Sequence, residues 1–411
     1  MSRLDSAVPE DAWRKVRKIG SADLLVGIPS FNNRSTIGHV VGSAAEGMAR
    51  HFSGLKGIVM VSDGGSSDGT AQVVESTPVP AGVEKLVLAY RGVPGKGSAF
   101  RAIFEVARLL GARACVVVDS DLRSITPDWI RLLAGPVVQG DYGYVAPHYV
   151  RHKYDGTITN SIAYPMTRAL YGLSVRQPIG GDFGFSAGLL EHFLSRPVWE
   201  SDVARFGIDI WMTTIAINEG FPVCQARLGA KVHDAKDPAA SLGPMFRQVV
   251  GTLFGLMRPY EANWRRTRES TEAPLLGEAI WMEPEAVPVT VAAMIDRFKA
   301  ALERERGYWS GFLARENLDE LNRVSTLPAD RYRFPVDLWV RIVYDFAVAY
   351  NRGGLDTGRL VDSLTGLYYG RTASFCLETA EMSTREVEAG PIEAVARRFE
   401  DLKPYLLRRW G

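Results

Sequence analysis

Hydrophobic and polar residues follow two different periods along this chain. In its first half, short β-branched apolar runs end in polar or glycine-rich turns, and each is followed by a segment with apolar residues at helical spacing. The runs are DLLVGIPSFN (23–32), GIVMVSDGGSSDGT (57–70), KLVLAYRG (85–92) and ACVVVDSD (114–121). Strands that alternate with helices of this length predict an α/β fold with a mostly parallel, doubly wound sheet.

From about residue 290 the pattern is helical throughout, as in VAAMIDRFKAALERERGYWSGFL and PVDLWVRIVYDFAVAYNRG. The stretch before it is rich in proline and charge, which is typical of a connection between domains. We therefore predict a helical region appended to the α/β domain. The predicted segments are an N-terminal extension at 1–22, an α/β domain at 23–264, a connection at 265–290 and a C-terminal helical domain at 291–411.

Composition limits the classes of function. The 411 residues include 48 basic and 47 acidic side chains, so the chain lacks the basic field of a nucleic-acid binder. No run of about 20 apolar residues occurs, so we expect no transmembrane segment, and three widely separated cysteines fit a reducing cytoplasm. The aromatic stripe Trp339, Tyr344, Phe346 and Tyr350 is either intrachain core or a contact in a homo-oligomer.

Polar residues collect where the predicted strands end. Because the carboxyl ends of parallel strands share one edge of a sheet, and ligands bind at that edge, we expect Ser30, Asn32, Asp63, Asp119 and Asp121 to lie close together. Two carboxylates one residue apart repel each other. They are either solvated turn residues or ligands of a divalent cation, Mg²⁺ or Mn²⁺, that offsets the repulsion.

Four further features belong to the same candidate site. RGVPGKGSAF (91–100) is a glycine-rich loop containing Lys96, which is either a plain turn or a phosphate-binding loop. Asp182 follows two glycines, where a backbone can approach a ligand closely. Asp209 lies near the start of an apolar helix, where it either stabilises the helix N-terminus or contacts a ligand. His233 ends a short apolar stretch and is either structural or a metal ligand.

The order of IPSFN, SDGGSSDGT, PGKG, VDSD, PIGGDFGFS, FGIDIWMTT and a later histidine resembles a GT-A glycosyltransferase. More narrowly, residues 23–260 resemble the retaining mannosylglycerate synthase and glucosyl-3-phosphoglycerate synthase family, which makes compatible solutes. The resemblance implies a Rossmann-like GT-A domain and metal-dependent transfer of glucose or mannose. The implied donor is a UDP- or GDP-hexose, the acceptor is glycerate or 3-phosphoglycerate, and glucosylglycerate or mannosylglycerate is the direct product with glycerate.

The resemblance also implies roles for single residues. Asp121 and His233 would hold Mg²⁺ or Mn²⁺. Asp182 would occupy the place of a family glutamate near the reacting sugar and would be the nucleophile of a covalent route, with front-face attack as the alternative, while Asp209 would contact the donor sugar or the acceptor. Donor binding would fall to Pro29, Ser30, Asn32, Asp63, Gly95, Lys96, Asp119, Ser120 and Gly181.

The segment DGTIT resembles the acceptor loop of the family, but the arginine expected there appears as Thr157. A hydroxyl can hold a carboxylate, whereas the bidentate guanidinium contact to phosphate is lost, so we expect glycerate rather than 3-phosphoglycerate. Arg151 and Lys153 could replace the arginine or could be solvated charges, and Thr159 is a second acceptor candidate. Three alternatives remain: 3-phosphoglycerate as acceptor, an inverting lipid or polysaccharide glycosyltransferase, and a non-catalytic module that binds sugar nucleotides.

Overall fold

The structure is a computed structural model that describes residues 6–233, 238–279 and 281–411. Its strands, in chain order, are β1 (Leu24–Ser30), β2 (Gly57–Asp63), β3 (Val83–Ala89), β4 (Ala114–Val117), β5 (Tyr144–Val150), β6 (Leu173–Ser174), β7 (Phe183–Ser186), β8 (Val223–Ala230), β9 (Thr271–Glu272) and β10 (Leu275–Leu276).

The helices alternate with these strands at first and then follow one another without strands between them. They are α1 (Glu10–Ile19), α2 (Ile37–His51), α3 (Thr70–Ser76), α4 (Lys96–Leu109), α5 (Pro127–Val138), α6 (Tyr164–Tyr171), α7 (Ala187–Ser195), α8 (Ile208–Asn218), α9 (Pro238–Met257), α10 (Glu261–Arg266), α11 (Val291–Trp309), α12 (Arg315–Ser325), α13 (Val336–Arg352), α14 (Thr357–Glu378), α15 (Thr384–Val387), α16 (Glu393–Asp401) and α17 (Lys403–Trp410).

The chain divides into two compact units, and neither is continuous in sequence. The first comprises Met1–Val150, Val175–Asp234 and Ala273–Pro284, and the second comprises Arg151–Ser174, Ala235–Glu272 and Glu285–Gly411. This division differs from the four consecutive segments predicted above. The predicted connection supplies β10, which pairs in parallel with β8. The prediction missed this strand because strand pairing depends on distant partners, which a local composition shift does not reveal.

The sheet of the first unit has the predicted character. Within the described residues its order is β10-β8-β5-β7-β4-β1-β2-β3. Neighbouring strands are parallel, apart from β7, which runs antiparallel to both β4 and β5. The carboxyl ends of β1, β2 and β4 therefore meet at one edge, and the prediction of a mostly parallel α/β sheet is confirmed.

The core of this unit lies on both faces of the sheet. Every residue of β1 and β2 is buried, as expected for parallel strands covered by helices on both sides. Leu24, Val26 and Ile28 belong to a cluster that α2 and α5 cover. On the opposite face, a Cβ on Gly27 would lie 2.4 Å from Ile103 Cγ2 of α4, so glycine lets this helix pack closely against β1.

The second unit is predominantly helical, as the C-terminal pattern predicted. In α13, Trp339, Tyr344 and Phe346 are fully buried, and the ring of Tyr350 packs edge-on against Phe254, with 5.9 Å between ring centroids. The aromatic stripe is therefore intrachain core, the first of its two interpretations. In the part of the chain that the structure describes, no helix is both long enough and apolar enough to cross a membrane.

Candidate active site

Three carboxylates and two ammonium groups meet at the carboxyl edge of the first unit's sheet. Asp119 follows β4, Asp182 directly precedes β7, Asp209 lies in the first turn of α8, Lys96 opens α4 and Lys231 follows β8. Lys96 Nζ lies 2.9 Å from Asp119 Oδ1 and 3.1 Å from Asp209 Oδ2. Lys231 Nζ lies 2.9 Å from Asp119 Oδ2 and 3.0 Å from Asp182 Oδ2. We call these five residues the Asp–Lys cluster.

Asp182 is held from several directions and is completely buried. Its Oδ1 accepts the backbone N–H of Asp119 at 2.7 Å, and its Oδ2 accepts from Lys231 and from the hydroxyl of Tyr149. Both carboxylate oxygens are thus engaged. In this geometry Asp182 braces Asp119, and attack on a sugar by Asp182 would require it to give up these contacts.

Asp209 has a different environment. Its Oδ2 pairs with Lys96, whereas its Oδ1 is buried without a hydrogen-bond partner among the described residues. A buried carboxylate oxygen left unpaired is costly, and such an atom calls for a specific explanation. A substrate hydroxyl that donates to Oδ1 would supply the partner.

The charges of the Asp–Lys cluster shift the ionisation of its members. Burial would raise the pKa of Asp119, but Lys231 and Lys96 outweigh it and hold that pKa well below its usual range. Burial would likewise lower the pKa of Lys96, but Asp119 and Asp209 outweigh it and raise that pKa. For Asp182 and Asp209 burial dominates, so their pKa values are raised despite the neighbouring lysines. Perturbed carboxylates and lysines in one cluster are typical of functional sites.

The glycine-rich segment at the start of α4 packs closely against residues 203–205. The N–H of Gly95 donates to the hydroxyl of Tyr90 at 2.9 Å, and that of Gly97 donates to the carbonyl of Arg205 at 3.2 Å. A Cβ on Gly97 would lie 1.8 Å from the carbonyl oxygen of Val203. Close approach to residues 203–205 therefore explains the glycines, and the predicted donor contacts of Gly95 and Lys96 stay predictions.

The first predicted nucleotide-binding residues lie at the carboxyl end of β1. Pro29 and Ser30 are the last residues of that strand, and Ser30 Oγ is buried without a hydrogen-bond partner among the described residues. Ser120 belongs to the segment after β4, and its hydroxyl donates to Asn33 Oδ1 at 2.8 Å. Asn33 thus joins the two loops, a role that nothing in the sequence pattern indicated.

Two further predicted residues brace the loops after β1 and β2. Asn32 has a left-handed backbone, with φ of 53°. Its N–H donates to Ser66 Oγ at 2.8 Å, and its Oδ1 accepts the N–H of Ser67 at 3.0 Å. Asp63 accepts the N–H of Ser66 at 2.8 Å and thereby stabilises its own turn. Base or ribose contacts of Asp63 stay a prediction.

The two predicted metal ligands lie on adjacent segments. Leu122 and His233 form an antiparallel β-bridge, and the N–H of Arg123 donates to the carbonyl of Val232 at 2.9 Å. The residue before Leu122 is Asp121, so the backbone brings it next to His233. In residues 6–233, 238–279 and 281–411, no group of three or more His, Cys, Asp or Glu is arranged to hold a metal. Two protein ligands suit a Mg²⁺ ion that substrate phosphates also bind.

Sequence reasoning missed Lys231 and Tyr149. Lys231 stands two residues before His233 in GAKVHDAKDP, at the end of an apolar strand. A lysine in that position, on a sheet edge already rich in aspartates, is the signal that could have identified it. Tyr149 lies within β5 and carries no comparable signal, because an aromatic residue in a strand usually packs in the core.

The predicted acceptor residues belong to the second unit. Arg151 Nε lies 2.8 Å from Asp155 Oδ2. The hydroxyl of Thr157 is hydrogen-bonded to that of Tyr368. Thr159 is buried at the first position of a π-helical turn, Thr159–Ala163. Their contacts to an acceptor stay predictions.

Lys153 is anchored rather than solvated. Its ammonium donates to three backbone carbonyls within residues 379–382, at 2.7 to 2.9 Å, just beyond the end of α14. The first of them is the carbonyl of Thr379, the C-cap residue of α14, where a cation is favourable. Lys153 therefore stabilises this helix end.

Comparison with known proteins bears on the enzyme class. Residues 25–194 match the model of glycosyl transferase family 2. Over 258 residues the chain is 27% identical to glucosyl-3-phosphoglycerate synthase of Mycolicibacterium paratuberculosis, which covers 56% of this chain and 71% of that protein.

Solved structures of glucosyl-3-phosphoglycerate synthase from Mycobacterium tuberculosis are also similar. The complex with Mn²⁺, UDP and phosphoglyceric acid is 25% identical, with a TM-score of 0.46 over 59% of this chain and 81% of that one. The complex with Mg²⁺ and UDP is 25% identical, with a TM-score of 0.47 over 61% and 86%. Together with the sheet topology, the family match and the relative confirm the predicted class: the chain is a glycosyltransferase of the GT-A fold that resembles glucosyl-3-phosphoglycerate synthases.

Proposed function

We propose that this glycosyltransferase moves a hexose, glucose or mannose, from a nucleoside-diphosphate sugar to glycerate with retention of configuration, in the presence of Mg²⁺ or Mn²⁺. The observation that carries the proposal is the Asp–Lys cluster at the sheet edge, beside the adjacent segments of Asp121 and His233. The name of the 27% identical relative supports glucose as the first choice of sugar and makes 3-phosphoglycerate the second acceptor candidate.

The chemistry requires these residue types. A nucleoside diphosphate leaves with considerable negative charge, and a bound divalent ion would neutralise part of it. Asp121 and His233 would hold that ion. Asp209 Oδ1 would accept a hydrogen bond from a substrate hydroxyl and so orient the sugar, which passes through an oxocarbenium-like state. Lys96 pairs with Asp119 and Asp209 and holds both carboxylates in place.

The second unit supports glycerate over 3-phosphoglycerate. Thr157 stands where relatives are expected to carry arginine, and its hydroxyl is engaged by Tyr368. The two cations that could replace that arginine have partners already: Arg151 pairs with Asp155, and Lys153 binds backbone carbonyls. A phosphate held by Arg151 or Lys153 would therefore have to displace their existing contacts, whereas the carboxylate and hydroxyls of glycerate need neither cation.

The experiment is a screen of UDP- and GDP-hexoses against both acceptors, followed by competition of glycerate with 3-phosphoglycerate at equal concentration. We expect transfer with a UDP- or GDP-hexose and a higher kcat/KM for glycerate. Asp209→Asn is the control, because it should bind nucleotide yet turn over slowly. A higher kcat/KM for 3-phosphoglycerate would overturn the acceptor assignment. Nucleotide binding without turnover by any pair would support the non-catalytic module instead.

Two further expectations accompany this proposal. A cytoplasmic location follows from the cysteine usage and stays a prediction. Homo-oligomer formation also stays a prediction, and light scattering of the purified chain would test it. An inverting enzyme that acts on lipid or polysaccharide is the competing reading, and a product of inverted configuration would favour it.

A further inference from the structure

Lys231 is a buried lysine at the edge of the first unit's sheet. It follows the last residue of β8, and its side chain is 5% exposed. Its backbone N–H donates to the carbonyl of Val150 at the end of β5, so the sheet fixes its position. Lysine is almost never buried to this degree without partners for its charge. The contacts of the ammonium therefore indicate its purpose.

The ammonium of Lys231 has three acceptors for its three donors. They are Asp119 Oδ2 at 2.9 Å, Asp182 Oδ2 at 3.0 Å and the carbonyl oxygen of Gly180 at 2.8 Å. The same group lies 5.0 Å from the centroid of the Tyr149 ring, whose hydroxyl donates to Asp182. The Lys231 side chain thus contacts two segments at once, the one that follows β4 and the one that precedes β7.

These contacts fix Asp119 in a single orientation. Lys96 pairs with its Oδ1 and Lys231 with its Oδ2, each at 2.9 Å. Asp182 accepts its backbone N–H at 2.7 Å. Because each carboxylate oxygen has its own lysine, Asp119 cannot rotate without breaking an ion pair. Asp121 lies two residues after Asp119, so the backbone that leads to Asp121 starts from a residue whose position is fixed.

We propose that Lys231 is a positioning residue for sugar transfer: together with Asp182 it fixes Asp119, and so the segment leading to Asp121, in the orientation that binds the nucleotide sugar. This inference rests on the proposed function. Buried ion pairs contribute little net stability, so stability alone does not account for a lysine with two carboxylates here. The location does, because ligands of such sheets bind at this edge.

Lys231→Met tests the inference because it removes the charge and keeps much of the side-chain length. Lys231→Arg restores a cation. Lys85→Met is the matched control, since the ammonium of Lys85 in the same unit donates to the backbone carbonyls of Glu75 and Thr77. All variants are compared with the wild type at a temperature where circular dichroism shows them folded. Calorimetry with UDP and GDP plus Mn²⁺ gives nucleotide affinity, and steady-state kinetics separates kcat from KM.

We expect Lys231→Met to lower both kcat and nucleotide affinity by about tenfold or more, because small misplacements in an active site are costly. Lys231→Arg should recover part of both, and Lys85→Met should change neither. A folded Lys231→Met with wild-type kcat and affinity, and only a lower Tm, overturns the inference and leaves Lys231 a structural residue.

Two other outcomes are decisive. If Lys231→Met does not fold, Lys231→Arg and Lys231→Gln replace it, and equal kcat in these two variants overturns the inference. If the wild type neither binds nucleotide nor transfers sugar, the proposed function fails first and the inference fails with it. Failure of the inference alone is recognised by an active wild type with an unaffected Lys231→Met.

Discussion

Gly181 provides the sharpest test of how the Asp–Lys cluster is built. Its φ of +95° lies in the left-handed region, and a Cβ there would lie 2.2 Å from Asp119 Oδ2. Gly181→Ala therefore introduces two separate costs. The left-handed backbone costs a residue with a Cβ about 1–2 kcal/mol, and the overlap with Asp119 costs about 1–3 kcal/mol as overpacking.

Gly140→Ala separates the two costs. Gly140 has φ of +87°, and a Cβ there would meet nothing within 4 Å. The backbone strain and the change in the unfolded chain are therefore similar for both variants. The excess destabilisation of Gly181→Ala over Gly140→Ala, about 1–3 kcal/mol, measures the overlap with Asp119 alone.

The assay is thermal unfolding of both variants at pH 7, followed by transfer kinetics. A change of 1 kcal/mol shifts Tm by about 2–4 °C in a domain of about 150–250 residues, so the two variants should differ by several degrees. Displacement of Asp119 should also lower the transfer rate of folded Gly181→Ala on the order of a hundredfold, while Gly140→Ala stays near wild type. Equal Tm values and equal rates for the two variants would show that Asp119 does not require a glycine at position 181.

Three other predictions concern the ion, a lysine and an ion pair of the second unit. EDTA should abolish transfer and Mg²⁺ or Mn²⁺ restore it; full activity in chelator would remove the metal role of Asp121 and His233. Lys96→Ala should weaken nucleoside-diphosphate binding in calorimetry, because charge-assisted contacts to phosphate are strong, and unchanged affinity would leave Lys96 only its contacts to carboxylates. Burial would raise the pKa of Glu378, but the guanidinium of Arg371 outweighs burial, so that pKa is lowered. Such a group stabilises the fold above its unfolded pKa, about 4.3, and the stabilisation is lost as pH falls through the folded pKa. Glu378→Gln should thus lower the free energy of unfolding at pH 7 by about 1–2 kcal/mol, a figure kept small because a third of the Glu378 side chain is exposed. Thermal unfolding should show a lower Tm at pH 7 and a difference from wild type that shrinks below about pH 4; a difference independent of pH would contradict this.

The sequence predicted those parts of the molecule that depend on local pattern. The strands that end at Ser30, at Asp63 and just before Asp119 were recognisable because an apolar run stops at a polar turn, and parallel pairing then brings those ends together. Two other local patterns identified Asp182 and Asp209 as candidates: Asp182 follows two glycines, and Asp209 lies near the start of an apolar helix. The sequence suggested a divalent cation to offset the repulsion between carboxylates, but it did not reveal the two ion pairs of Lys231.

The remaining features depend on contacts between distant parts of the chain. Lys231 meets Asp119 across 112 positions, and no short motif encodes such a meeting. The antiparallel direction of β7 depends on its neighbours β4 and β5. The glycine loop was ambiguous for a similar reason, since residues 203–205 that require it lie a hundred positions away. Gly181 was read as a place for a ligand, whereas its missing side chain makes room for Asp119.

The proposed reaction is transfer of a hexose, with retention, from a nucleoside-diphosphate sugar to glycerate. The most direct measurement is proton NMR of the product formed from the preferred hexose donor, glycerate and Mn²⁺, which identifies both the acceptor and the anomer in one experiment. We expect the wild type to form an α-linked glycerate glycoside, and Asp209→Asn to form much less of it. A β-linked product, or hydrolysis of the donor with no glycoside formed from either acceptor, would contradict it.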